Sequence, residues 1–307
     1  MKNADCLDSK FLPLKGLDGN IIALLRKTIP DAEVVGILGD VMYLAVHVPK
    51  NNEIYVSPCL MNYIWLFCFF SVYFQEIGCD IYLSSEQKAE MKAKSPFDIN
   101  DPALRTAFDK IEGQIIKVVL SEISLGDIDL DVFPSCINTK SITDSLTGFV
   151  SSVNAIYVRA IAFILFHEFG HKNLKHTCSC KENERAADRY AFDILMGDAQ
   201  TEDELLNNCY GILSALFACL CLYDINKLIE DTSHPTLLER ISSALEELKK
   251  HANRISNVNY LEYFCSNILV NVLCFRGENI TNFYAGADIN KYLADLFEKA
   301  KKYFVDS

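Results

Sequence analysis

The chain has 307 residues, 41 of them acidic and 29 basic, for a net charge of -12; half are hydrophobic and 23% charged. A chain of this length and composition buries a substantial core, which excludes a disordered or low-complexity protein. An acidic surface without a Lys/Arg-rich stretch repels phosphate backbones, so no nucleic acid partner is expected.

The opening residues, MKNADCLDSKF, place polar and acidic side chains where a secretory leader needs a continuous apolar segment. Without a leader, the twelve cysteines are read as free thiols, several of them set in apolar runs. The expected setting is reducing and cytoplasmic. The longest apolar runs, 63–74 and 212–223, fall short of the roughly 18–20 residues that span a bilayer. They are expected to be buried helices, and no membrane partner is expected.

Residues 31–57 alternate β-favouring runs (VVGIL, VMYLAVHV, EIYVS) with turn residues at Gly39-Asp40 and Lys50-Asn51-Asn52, which predicts a small antiparallel meander. Ser57-Pro58 then offers a cap and a first-turn proline to a core helix within 58–85 that is apolar nearly all round and holds the single tryptophan, Trp65. The stretch 86–149 is more polar and is broken by Pro96, Pro102, Gly113, Gly126 and Pro134, with one helix near 104–120. It is a candidate recognition segment. From Val150 the pattern is helical to the end, with segments near 152–175, 181–196, 203–229, 235–251, 258–275 and 290–303. The expected fold class is α+β: one domain over 1–307, mostly helical, with a small antiparallel N-terminal sheet.

The chemistry concentrates in 150–251. His167-Glu168-Phe169-Gly170-His171 is an H-E-x-x-H sequence on an apolar helix. At about 100° per residue the two histidines project about 40° apart, so both imidazoles reach one ion, with Glu168 between them as a base for hydrolysis. A catalytic zinc ion takes about three protein ligands and leaves a fourth position for water. Glu184-Arg185-Ala186-Ala187-Asp188 on the next helix supplies Glu184 as the third ligand. Asp188, one turn on, is placed to accept the other ring N–H of a ligating histidine, His171, and the two alanines let the helices approach.

Other ligands are set aside by register. The metzincin pattern requires a glycine and a histidine where this chain has Leu174 and Thr177. A helix running on to His176 would turn it about 140° from His171, facing away, and Glu182 lies about 160° from Glu184 around its helix. Cys178-Ser179-Cys180 is read as a plain inter-helix loop. In Ser233-His234-Pro235-Thr236, followed by Glu239-Arg240-Ile241, two readings stay open. One is a capped helix start, with Thr236 and Glu239 as a capping box. The other is a catalytic element in which His234 and Arg240 bind the oxyanion or orient substrate. The last residues, 252–307, are C-terminal helices without an assigned role.

Together the H-E-x-G-H, E-x-x-x-D and H-P-x-x-x-R-I elements look like a gluzincin-type metallopeptidase and resemble the HtpX and CaaX-protease families, which are integral membrane enzymes. The chain resembles more closely the Lit family of phage-exclusion peptidases. That resemblance runs over about residues 53–241, through Tyr63-Ile64-Trp65, Gln75-Glu76, Ile161-Ala162, the H-E-F-G-H segment, Glu184-Arg185 with Ala187-Asp188, and His234-Pro235 with Glu239-Arg240-Ile241. Gly170 stands where the family pattern has serine. The resemblance implies a zincin-like fold and a Zn2+ peptidase that is silent until a phage-derived activator appears. It also implies a protein substrate, elongation factor Tu, whose cleavage stops protein synthesis. A zinc hydrolase with another substrate and a non-catalytic zincin-fold regulatory module are the alternatives, the second opposed by the retained Glu168.

Overall fold

The computed structural model describes residues 35–37, 46–48, 53–56, 58–82, 85–86, 98–119, 144–178, 180–222, 234–257, 259–280 and 288–304. A mostly apolar sequence from Pro58 makes α1 (Pro58–Tyr82), whose side chains over 63–73 are all buried. Tyr63, Trp65, Phe67, Phe69 and Phe70 are each under 2% exposed, and burying side chains of this size contributes about 1.5–3 kcal/mol apiece. Their polar atoms are satisfied inside the core: Trp65 Nε1 donates to Asn154 Oδ1 at 2.8 Å and the Tyr63 hydroxyl to the Ala218 carbonyl at 3.3 Å.

Around α1 lie α2 (Pro102–Val119), α3 (Asp144–Asn173), α4 (Lys181–Asp198), α5 (Glu202–Leu222), α6 (Leu237–Lys249), α7 (Asn259–Phe275) and α8 (Ile289–Phe304). The long helix α3 is the hub, packing on α1, α4 and α5. Gly211 lets α5 ride on α3, because a Cβ there would stand 2.5 Å from Cβ of Arg159 and 2.9 Å from the Ala160 nitrogen. Tyr73 of α1 stacks on Phe108 of α2 with ring centroids 3.6 Å apart. Asn267 of α7 donates to Gln75 Oε1 of α1 at 3.1 Å. At the start of α6, Thr236 and Glu239 form the reciprocal capping box that their spacing suggested.

The expected α+β class with an antiparallel N-terminal meander is corrected by this architecture. Described structure is overwhelmingly helical, and the strands β1 (Val35–Ile37), β2 (Val46–Val48) and β3 (Glu53–Val56) hold three, three and four residues. Their order is β1-β3-β2, with β1 parallel to β3 and β2 antiparallel to it. Neighbouring strands in sequence were expected to pair, but β3 inserts between β1 and β2. Strands this short cannot stand alone and lean on α3. The turns at Gly39-Asp40 and Lys50-Asn52, Ser57, and most of 86–149 lie outside the described residues.

Helix ends also moved. The helix expected from 152 begins at Asp144 and stops at Asn173 rather than 175. The one expected over 203–229 is described as Glu202–Leu222; residues 223–229 lie outside the described residues. Gly148–Asn173 and Glu202–Leu222 are long and apolar enough to cross a membrane by length and composition, which run lengths alone did not show. They are core helices here, with 61% and 72% of their most apolar windows buried inside the protein. The described cysteines carry no disulfide, and burial pushes the thiols of Cys209, Cys219 and Cys221 up to about 12, 11 and 12, where they remain protonated.

Candidate metal centre

The C-terminal half of α3 is built from residues that cannot face water. Ala160, Ile161, Ala162, Phe166 and Phe169 are at most 1% exposed, and they carry His167 at 7% and Glu168 at 9% into the interior with them. One turn later His171 sits half-buried at the helix end. The helical period thus delivers two imidazoles to one side, as their spacing required.

The third group arrives from α4 because the two helices touch backbone to backbone. A Cβ on Gly170 would lie 2.9 Å from the Ala187 Cα and 3.2 Å from its carbonyl oxygen. Only glycine against alanine permits that approach, and it sets Glu184 and Asp188, 4% and 6% exposed, against the histidines. The far end of α4 is held as well, since Asn208 donates to the Leu195 carbonyl at 2.7 Å and Arg254 donates to those of Met196 and Ala199.

His167 Nε2 stands 3.1 Å from His171 Nε2 and 3.3 Å from Glu184 Oε2, and His171 Nε2 is 3.5 Å from Glu184 Oε1. A tetrahedral ion with bonds of about 2.0–2.1 Å separates its ligands by about 3.3–3.4 Å. The donor set and its spacing therefore fit a zinc ion. Among the described residues no other group of His, Cys, Asp and Glu side chains converges in this way.

The neighbouring shell differs from expectation in three respects. Asp188 Oδ1 accepts from His167 Nδ1 at 2.8 Å, so the aspartate orients His167 and not His171. Arg240, for which a role at the oxyanion or substrate was one of two open readings, is bonded to Asp188: its Nε donates to Oδ2 at 2.9 Å and its NH2 to Oδ1 at 2.6 Å. His176, expected to face away, turns back so that its Nδ1 is 3.0 Å from His171 Nδ1. The helix had to end for this to happen, and Lys175, not being glycine, gave no sign of the reversal.

His234 does reach the cluster. Its Nε2 is 3.2 Å from Glu184 Oε1 while its side chain stays 42% exposed, the most open of the cluster's polar groups. Glu182 is exposed, as its register required, and Cys178 and Cys180 flank the loop into α4 without joining the cluster.

Electrostatics are arranged around the three carboxylate and imidazole partners. Burial pushes the Glu184 carboxyl up, but hydrogen bonds from His167, His171 and His234 outweigh it and hold the group well below the usual carboxylate range. Burial likewise raises Asp188, yet the Arg240 charge and the His167 bond bring it down to about 2. Burial lowers His167, and the bonds to Asp188 and Glu184 overcome this and raise it to about 9 in the metal-free protein. Both acids are thus ionised at neutral pH, as metal ligation and its supporting shell require.

With this geometry established, comparison with known proteins adds a family. The family model described as Peptidase U49 matches residues 54–260. A curated relative, the cell death peptidase of Escherichia coli (strain K12), is 25% identical over 256 residues, covering 80% of this chain and 78% of the relative. No solved structure matches the chain.

Proposed function

The chain belongs to the peptidase U49 family and is a peptidase; from that premise we propose that it is a zinc-dependent endopeptidase whose ion is held by His167, His171 and Glu184. The observation that carries the reading is the convergence of two Nε2 atoms and a carboxylate at 3.1 to 3.5 Å, close to the edges of a tetrahedral zinc site.

When bound, zinc supplies Lewis-acid polarisation of the scissile carbonyl and acidifies the attacking water. Glu168, next to His167 and buried in the same wall, takes the proton of that water and delivers it to the leaving amine. His234, open on one side and anchored to Glu184 on the other, donates to the oxyanion that develops on the carbonyl. Asp188 holds His167 in the tautomer that keeps its Nε2 free for the metal, and Arg240 holds Asp188. Arg240 is accordingly a positioning residue.

The resemblance to phage-exclusion peptidases, together with a relative named a cell death peptidase, supports a cytoplasmic enzyme that arrests its own host. Its substrate in this proposal is elongation factor Tu, and its trigger is a phage-derived activator. Glu168→Gln is the test: the variant should keep one zinc per chain and lose about 10²-fold or more of its activity on elongation factor Tu. Full activity in that variant removes the catalytic assignment. Elongation factor Tu left intact by activated wild-type enzyme removes the substrate while leaving the metal site standing.

A further inference from the structure

We infer that His176 is a positioning residue for His171, its Nδ1 accepting the Nδ1–H that His171 carries when its Nε2 faces the metal. This rests on the proposed ligand set, and it gives His171 the orienting partner that Asp188, being engaged with His167, does not provide.

The geometry comes from how α3 ends. His176 N donates to the His171 carbonyl at 2.9 Å and Lys175 N to that of Lys172 at 3.2 Å. This six-to-one and five-to-two pair is a Schellman motif, and it requires a left-handed residue between them, which is Lys175 at φ 56°. In such a cap, the third residue before the C-cap, which is Leu174 here, and the second residue after it stand side by side, often in apolar contact. Here those two residues are histidines. Their rings meet at 73° with centroids 5.1 Å apart and Nδ1 atoms 3.0 Å apart.

Two facing nitrogens at that distance need one proton between them. A metal on His171 Nε2 places the proton on His171 Nδ1, so His176 Nδ1 is the acceptor and its own proton sits on Nε2. His167 and His171 are then oriented by different means, one by a charged carboxylate from α4 and one by a neutral imidazole from the cap of its own helix. Lysine is strained in the left-handed region, so local preference alone does not select this cap. Lys175→Gly should relieve the strain and leave the histidine pair in place.

The experiment measures zinc affinity by chelator competition on the full chain for the wild type, His176→Asn and His176→Leu, with melting of the metal-free proteins as the fold control. The Oδ1 atom of asparagine can stand where Nδ1 does, whereas leucine fills the volume without an acceptor. His176→Leu should lower zinc affinity about 10–100-fold and shift the visible absorption of the cobalt-substituted protein, while His176→Asn should stay within about threefold of wild type. If leucine does not fold there, His176→Ala is read in its place.

Equal affinities in all three proteins overturn the inference. So does an equal loss with asparagine and leucine, which would mean that the ring's shape matters and not its acceptor. His171→Ala separates this from the underlying reading: if that variant keeps stoichiometric zinc, the ligand set itself is wrong. If it loses zinc while His176→Leu does not, the ligand set stands and only the role of His176 falls.

Discussion

Asp188→Asn changes one charge and almost no volume at a residue whose two oxygens accept three bonds, one from His167 and two from Arg240. Two consequences can be sized. The carboxyl is lowered from 3.8 to about 2, and a shift of nearly two units corresponds to about 2.5 kcal/mol of preferential stabilisation of the ionised form. That contribution is fully present above about pH 4 and is lost as pH falls towards 2, so at neutral pH the variant forfeits all of it. The substitution also leaves Arg240, 17% exposed in its side chain, without its anion, and breaking a buried pair from one side costs about 3–5 kcal/mol. The two figures describe overlapping physics, and about 3 kcal/mol is the expected loss in the metal-free protein. For a chain of this length, with an unfolding entropy of about 0.6 kcal/mol/K, that lowers the melting temperature by about 5 °C.

Zinc affinity should fall about 10–100-fold in the same variant, because the amide can still present Oδ1 to His167 Nδ1–H but no longer supplies the carboxylate charge that makes the imidazole a stronger ligand. Removing both partners separates the two effects. In Asp188→Leu combined with Arg240→Met no charge is stranded, so much of the stability returns, but His167 Nδ1 loses its acceptor altogether and zinc affinity stays low. Calorimetric melting and chelator competition on the single and double variants test the argument. A single variant that melts and binds zinc like wild type would refute it, as would a double variant that regains zinc affinity.

Gly170→Ser should destabilise the chain by about 1–3 kcal/mol and weaken zinc binding, since the new Cβ meets backbone atoms of Ala187 and α4 must retreat with Glu184; unchanged melting and unchanged affinity would show that the approach is not tight. Metal-free protein should lose stability as pH rises from about 6.5 to about 9, because His167 is raised to about 9 on folding and its protonated form stabilises the fold only below that range. Zinc competes with this proton, so affinity should rise about tenfold per pH unit over the same interval, with proton release detected by titration calorimetry in buffers of different ionisation enthalpy. A pH-independent affinity would contradict the shift.

What was legible in the sequence was whatever depends on helical period and on short connections. His167 and His171 share a face because four residues make about one turn, and Glu184 with Asp188 repeats that relation on the next helix. The capping box at Thr236 and Glu239 was readable for the same reason, its partners being three residues apart. The small sheet was not, because alternation names strands but not their partners, and β3 paired in parallel with β1, from which β2 separates it in sequence.

The residues alone therefore determined the H-E-x-x-H face and the approach of an acidic helix to it, since both follow from local backbone geometry and from the small side chains of Ala186 and Ala187. Tertiary structure alone decided which acceptor serves which imidazole. Asp188 went to His167 and Arg240 to Asp188 because the crossing of α3, α4 and α6 places them there, over separations of 21 and 52 residues that no period encodes. His176 returned to His171 because a lysine took a left-handed conformation that its side chain does not favour.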